Sequence, residues 1–105
     1  VLLKGALTER ADYLPDHLEP LRACSRAYRQ LVAEAGLGLT PAQVAIAFEL
    51  AQPQISTVLV GIRSQAELAE NLPALTTALP PALVEKLNAL RVDDENLINP
   101  GTWGI

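Results

Sequence analysis

The sequence predicts an α/β fold in which helices predominate and one or two short strands run parallel. Strand-like and helix-like segments follow one another as strand, helix, helix, strand, helix, helix, the alternation that signals parallel-sheet architecture. The second strand, Thr57-Val58-Leu59-Val60, is a continuous β-branched and leucine run with no polar face, so it reads as buried on both sides. Two such strands are too few for a sheet covered on both faces, and the pattern implies further strands that these residues do not supply.

Composition narrows the class. With 105 residues there is room for one domain and one modest core. Half of the residues are apolar but only 4% are aromatic, so Leu, Ala and Val carry the burial and helix packing is favoured over a β-sandwich. Twelve acidic and eight basic residues are scattered to a formal net charge of -4, which argues against a nucleic-acid or anionic-membrane surface. Cys24 is the only cysteine, so no intrachain disulfide is possible and a reducing, cytoplasmic setting is expected. No apolar run approaches the ~20 residues of a spanning helix. The chain opens inside an apolar run, Val1-Leu2-Leu3, without Met, and reads as part of something longer.

Taken in order, Val1 to Lys4 is a candidate strand, Gly5 to Thr8 a turn, and Glu9 to Asp16 a surface loop. A helix follows from about Asp16 or His17 to Ala35, closed by Gly36, with Pro20 in its first turn. Its inner stripe is Leu18, Leu21, Cys24, Ala27 or Tyr28, Leu31 and Val32, and Ala35, which leaves Arg22, Arg26 and Arg29 on a solvated face. Thr40-Pro41 caps and opens a helix to about Gln52 that is apolar almost all round and must be covered on most of its surface. After the Thr57 to Val60 strand and Gly61, Ser64 starts a helix, with Glu67 completing a Ser-x-x-Glu capping box. Pro73 should kink that helix or end it early. Pro80-Pro81 begins a last helix to about Leu90 with Leu83, Val84, Leu87 and Leu90 inward. Residues 92–105 read as an irregular tail in which Trp103 either docks on the body or stays disordered.

Most catalytic constellations are absent from the sequence. One His and one Cys exclude a multi-histidine or cysteine-rich metal site, and there is no G-x-S-x-G elbow, Walker loop or G-x-G-x-x-G. Asp93-Asp94-Glu95 is expected to be solvated, and no metal ligand is assigned. The Gly61 to Asn71 stretch is the one corner with chemical content. A strand that ends at a glycine and passes an arginine into a helix start can hold an anion, or it can be a plain loop with a surface Arg63.

The same residues resemble a known family. Leu39 to Asn71, with its Leu-Thr-Pro-Ala-Gln-Val-Ala-Ile-Ala-Phe helix, its Ile-Ser-Thr-Val-Leu-Val-Gly-Ile-Arg-Ser strand exit and its Glu-Leu-Ala-Glu-Asn helix, is similar to the C-terminal third of the aldo-keto reductases. Leu2 to Thr8 resembles the glycine-containing loop after the seventh strand of that family's barrel. Thr40 to Gln52 resembles its seventh helix, and Thr57 to Val60 its eighth strand.

That resemblance implies the C-terminal part of a (β/α)8 TIM barrel, here a single segment 1–105 ending in the 92–105 tail, whose site lies at the C-terminal ends of the strands. It implies an NAD(P)-dependent oxidoreductase interconverting carbonyl and alcohol, with the aldose or galactose dehydrogenase branch most similar. The cofactor, NADP or NAD, would meet this segment at its adenosine end only. Arg63 would face the 2′-phosphate when the cofactor carries one, Ser64, in the matching Gly61-Ile62-Arg63-Ser64 run, would add a hydroxyl and a helix-start N–H, and Glu70 and Asn71 would meet the adenine. Gly5 and Leu7 would lie near the pyrophosphate. Glu67 departs from the Gln or Arg common in relatives, and its repulsion of a phosphate at ~4 Å, ~4 kcal/mol at an effective dielectric of ~20, predicts tolerance of NAD or preference for it. Pro73 departs from the usual helix-compatible residue. The family's catalytic Asp, Tyr, Lys and His have no counterpart here, so no catalytic residue is assigned and the segment alone should be inactive and should self-associate through uncovered apolar faces. The complete protein would take a nicotinamide cofactor and a small carbonyl or sugar substrate, and neither nucleic acid nor membrane. The competing expectation is a non-enzymatic helical module that binds a partner around Phe48.

Overall fold

Caps and prolines set the elements, and one helix organises the rest. The structure, a computed structural model, describes residues 6–104. The candidate strand Val1 to Lys4 and the site candidate Gly5 lie outside the described residues.

Helix α1, Glu19–Ala35, is entered through a 3₁₀ turn at Asp16–Leu18 and stopped by Gly36, whose φ of 63° is the left-handed conformation that glycine adopts without a Cβ penalty. Its buried stripe is Leu21, Ser25, Tyr28 and Val32. The stripe matches the expected one at Leu18, Leu21, Tyr28 and Val32 and departs from it at one position, where Ser25 replaces Cys24. Ser25 is buried, its Oγ has no hydrogen-bond partner among the described residues, and Cys24 is only half-buried. Helix α2, Pro41–Leu50, starts with a complete capping box: Thr40 Oγ1 accepts from Gln43 N, and Gln43 Oε1 accepts from Thr40 N. As its composition demands, α2 is covered, with Gln43 to Ala47 all buried.

Three clusters hold these elements together. Tyr28, Val32, Val44, Ala45, Leu83 and Leu87 join α1 and α2 to α4, Pro81–Asn88. The Tyr28 hydroxyl donates to the Pro41 carbonyl and the Cys24 thiol to the Leu90 carbonyl, so α1 is tied at both flanks. Ile46 and Ala47 pack on Ala74, in the 3₁₀ turn Leu72–Thr76 that follows α3, Gln65–Asn71. Pro73 does end α3, since the helix passes into 3₁₀ geometry at Leu72. The third cluster places Ala6, Ala11, Leu14, Leu18 and Leu21 around Trp103.

The strand expectation is corrected. The described residues contain no strand, and Thr57 to Val60 runs without a ladder, with Leu59 95% exposed instead of buried on both faces. A strand's N–H and C=O groups need a neighbouring strand, and no described segment offers an edge to pair with. Three smaller corrections follow, two from local capping and one from ion pairing. Glu9–Tyr13 forms a 3₁₀ turn, capped by Thr8, in place of a loop. The tail holds a short helix α5, Glu95–Ile98, and a turn at Pro100–Thr102, capped by Asp94 and Asn99. The α1 arginines form ion pairs in place of a solvated row: Arg22 with Asp16 and Glu19, Arg26 with Glu19, and Arg29 with Asp12.

Candidate functional site

Residues 52–64 cross from the end of α2 to the start of α3 and bring Gly61 and Arg63 opposite the first residues after Ala6. Ser64 caps α3 by accepting from Glu67 N at 3.1 Å. Glu67 does not close the expected capping box. Its Oε2 accepts from Arg63 N at 2.7 Å, one residue further back, and its Oε1 lies 3.6 Å from the Arg63 guanidinium. Two N–H groups of the supposed anion corner are therefore already satisfied by this chain's own oxygens. With only seven residues, α3 also has a small dipole to offer.

The wider surroundings supply what the corner lacks. An open cleft of about 1140 Å³ has Thr8, Glu9 and Arg10 on one wall, Arg29, Val32 and Ala33 of α1 at its base, and Gly61, Arg63, Glu67, Glu70 and Asn71 opposite. Leu39 to Ala42 complete it at the start of α2. The volume is sufficient for a nucleotide-sized ligand, which pockets of ~300–1,000 Å³ ordinarily accommodate. Glu70 is anchored through its backbone, its carbonyl accepting from Gln43 Nε2 at 2.6 Å, so the buried Gln43 amide links the start of α2 to the α3 side of the cleft.

Charge in the cleft is mixed. Arg29 is committed to Asp12 by two bonds of 2.7 and 3.1 Å, and that hydrogen bonding holds the Asp12 carboxyl below its ordinary range. Arg63 leans on Glu67. Arg10 makes no side-chain hydrogen bond or ion pair among the described residues, so its guanidinium can meet an anion without breaking an existing pair. Glu9, Glu67 and Glu70 oppose a highly charged ligand.

Of the residues singled out in the sequence, the cleft brings together Gly61, Arg63, Glu67, Glu70 and Asn71. Ser64 stands behind it as the α3 cap. Leu7 faces another way, packing on the α1, α2 and α4 cluster and lining a separate apolar cavity of about 370 Å³ with Cys24, Tyr28 and Phe48. Arg10 and Arg29 were missed. Arg10 could have been found as the cation three residues past Leu7 in the same loop. Nothing local marks Arg29, because its placement depends on a pairing with Asp12 seventeen positions away.

Among the described residues no second chemical centre emerges. His17 Nε2 lies 2.9 Å from the Trp103 carbonyl, burial pushes the Tyr28 hydroxyl and the Cys24 thiol up, and no metal-holding cluster occurs among the described residues. No described helix is long and apolar enough to cross a membrane.

A helical array without a strand among the described residues, with a nucleotide-sized cleft between its helices, is the class that fold and site define. Comparison with known families makes it particular: the aldo/keto reductase family model matches residues 1–92, and the chain belongs to that family. Its members are TIM-barrel oxidoreductases that generally use NAD(P)H. No curated protein and no solved structure matches the chain.

Proposed function

We propose that this chain is the C-terminal, cofactor-adenosine-binding part of an NAD(P)-dependent aldo-keto reductase barrel. The observation that carries the reading is the cleft itself, which gathers Gly61, Arg63, Glu67, Glu70 and Asn71 opposite the Thr8 to Arg10 loop in a chain of this family. The residues present fit the far end of such a cofactor. Arg10 is available to a diphosphate, and the Leu39 to Ala42 stretch offers an apolar flank for adenine. When bound, the nicotinamide ring supplies hydride chemistry; this segment binds and orients the other end. In the complete enzyme the remaining barrel strands pair with Thr57 to Val60 and cover Leu59, Ile62, Leu68, Leu72 and Leu75, which are exposed here. The substrate is a small carbonyl compound or aldose, and the setting is cytoplasmic. Phe48 is half-buried against the main cluster, so no observation favours a partner-binding module centred on it.

Three charges decide the cofactor. Glu67 holds Arg63 and faces the same cleft, so a 2′-phosphate must displace an existing pair as well as approach a carboxylate. NAD should therefore bind at least as well as NADP. Titration of the complete enzyme with both nucleotides, followed by amide-exchange footprinting, tests this. Protection should concentrate at residues 61–71, and Glu67→Gln should raise NADP affinity by about tenfold while changing NAD little. Nucleotide binding that leaves residues 61–71 unprotected would overturn the assignment.

A further inference from the structure

The tail lies beyond the family match, which ends at residue 92, yet it contributes the most deeply placed aromatic side chain in the chain: Trp103 is 1% exposed. Its indole packs with Ala6, Ala11, Leu14, Leu18 and Leu21, backed by Leu97 of α5. Both polar ends are held, with Nε1 donating to the Leu97 carbonyl at 3.1 Å and its own carbonyl 2.9 Å from His17 Nε2. Ala6 and Ala11 bracket Thr8, Glu9 and Arg10, which form one wall of the cleft. That wall buries only small or medium side chains of its own, so the indole is the largest body beneath it. The segment is also tied to α1 by the Asp12–Arg29 pair and by Arg22 Nη1, which donates to the Leu14 carbonyl at 3.1 Å.

We propose that the tail is a strap and Trp103 a positioning residue, setting the Thr8 to Arg10 wall and through it the affinity of the cleft for a dinucleotide. The affinity arm rests on the cofactor reading above; the wall arm does not. The experiment compares Trp103→Ala and Trp103→Phe with the unaltered chain in the complete enzyme, by hydrogen exchange and by NAD and NADP kinetics. In Trp103→Ala, exchange at the Ala11 and Leu14 amides should rise by about tenfold or more while Val44 to Ala47 stay protected. KM for the cofactor should rise by about three- to tenfold with kcat unchanged, and Trp103→Phe should recover most of both effects. Unchanged exchange at Ala11 and Leu14 overturns the proposal, and so does an equal rise in α2, which would make Trp103 a general stabiliser only. Local loosening with unchanged cofactor KM overturns the coupling. If the unaltered enzyme shows no dinucleotide binding at residues 61–71, the cofactor reading fails while the local exchange difference still decides the strap.

Discussion

Two apolar stretches, Val44 to Leu50 and Ile55 to Ile62, have nearly the same appetite for burial and opposite fates. In α2, Val44 to Ala47 are all buried; in the second stretch Thr57 and Leu59 lie open to solvent. The difference is in the backbone. A helix satisfies its own N–H and C=O groups and needs a partner only for its side chains, which α1, α4 and the turn after α3 provide. A strand must borrow hydrogen bonds from a neighbour, so the same hydrophobicity cannot be used until that neighbour is present.

The contrast can be broken first in the helical body. Leu83→Ala removes a buried side chain from the cluster around Tyr28 and Val44 and should lower stability by about 2 to 5 kcal/mol, read from the urea midpoint of the chain. Next comes Tyr28→Phe, which leaves the Pro41 carbonyl without its donor and should cost about 1 kcal/mol near neutral pH. Tyr28 also imposes a sign on alkaline behaviour. Burial raises its pKa above the ordinary 10.0, so its contribution is complete below that value and lost as pH rises beyond it. The midpoint should fall above about pH 10, and that extra fall should vanish in Tyr28→Phe.

Capping sharpens the comparison at smaller scale. Thr40→Ala dismantles a complete box beside the core and should cost about 1 kcal/mol, whereas Ser64→Ala removes a single bond from the exposed seven-residue α3 and should cost about 0.5 kcal/mol. Thermal unfolding of the two variants side by side measures the difference. The smallest effect on stability belongs to Leu59→Ser, within about 0.5 kcal/mol, because that side chain already faces water. Its effect should appear in sedimentation instead, as reduced self-association of the separate chain.

Much of the candidate site was legible because it is local. Gly61, Arg63, Glu67, Glu70 and Asn71 lie within eleven consecutive positions, and once the residue types start a helix at Ser64 they stay near one another. Glu67's choice of Arg63 N over the cap N–H could not be read, since the two differ by one residue and a side-chain rotation. The direction of the Leu7 side chain could not be read for a related reason. A turn residue next to a glycine can point into the cleft or into the core, and the neighbouring Tyr28 and Leu87 cluster draws it inward.

By itself the sequence determined what depends on near neighbours: the Thr40 cap, the left-handed stop at Gly36, the end of α3 before Pro73, the apolar cover α2 requires, and the family. Tertiary structure alone decided the pairs that span the chain, Asp12 with Arg29, His17 with Trp103 and Gln43 with Glu70, and so the walls of the cleft. Local preferences are written in spacings of three and four residues, while long-range pairs depend on which surfaces meet after the helices pack, and no periodicity in the chain records that.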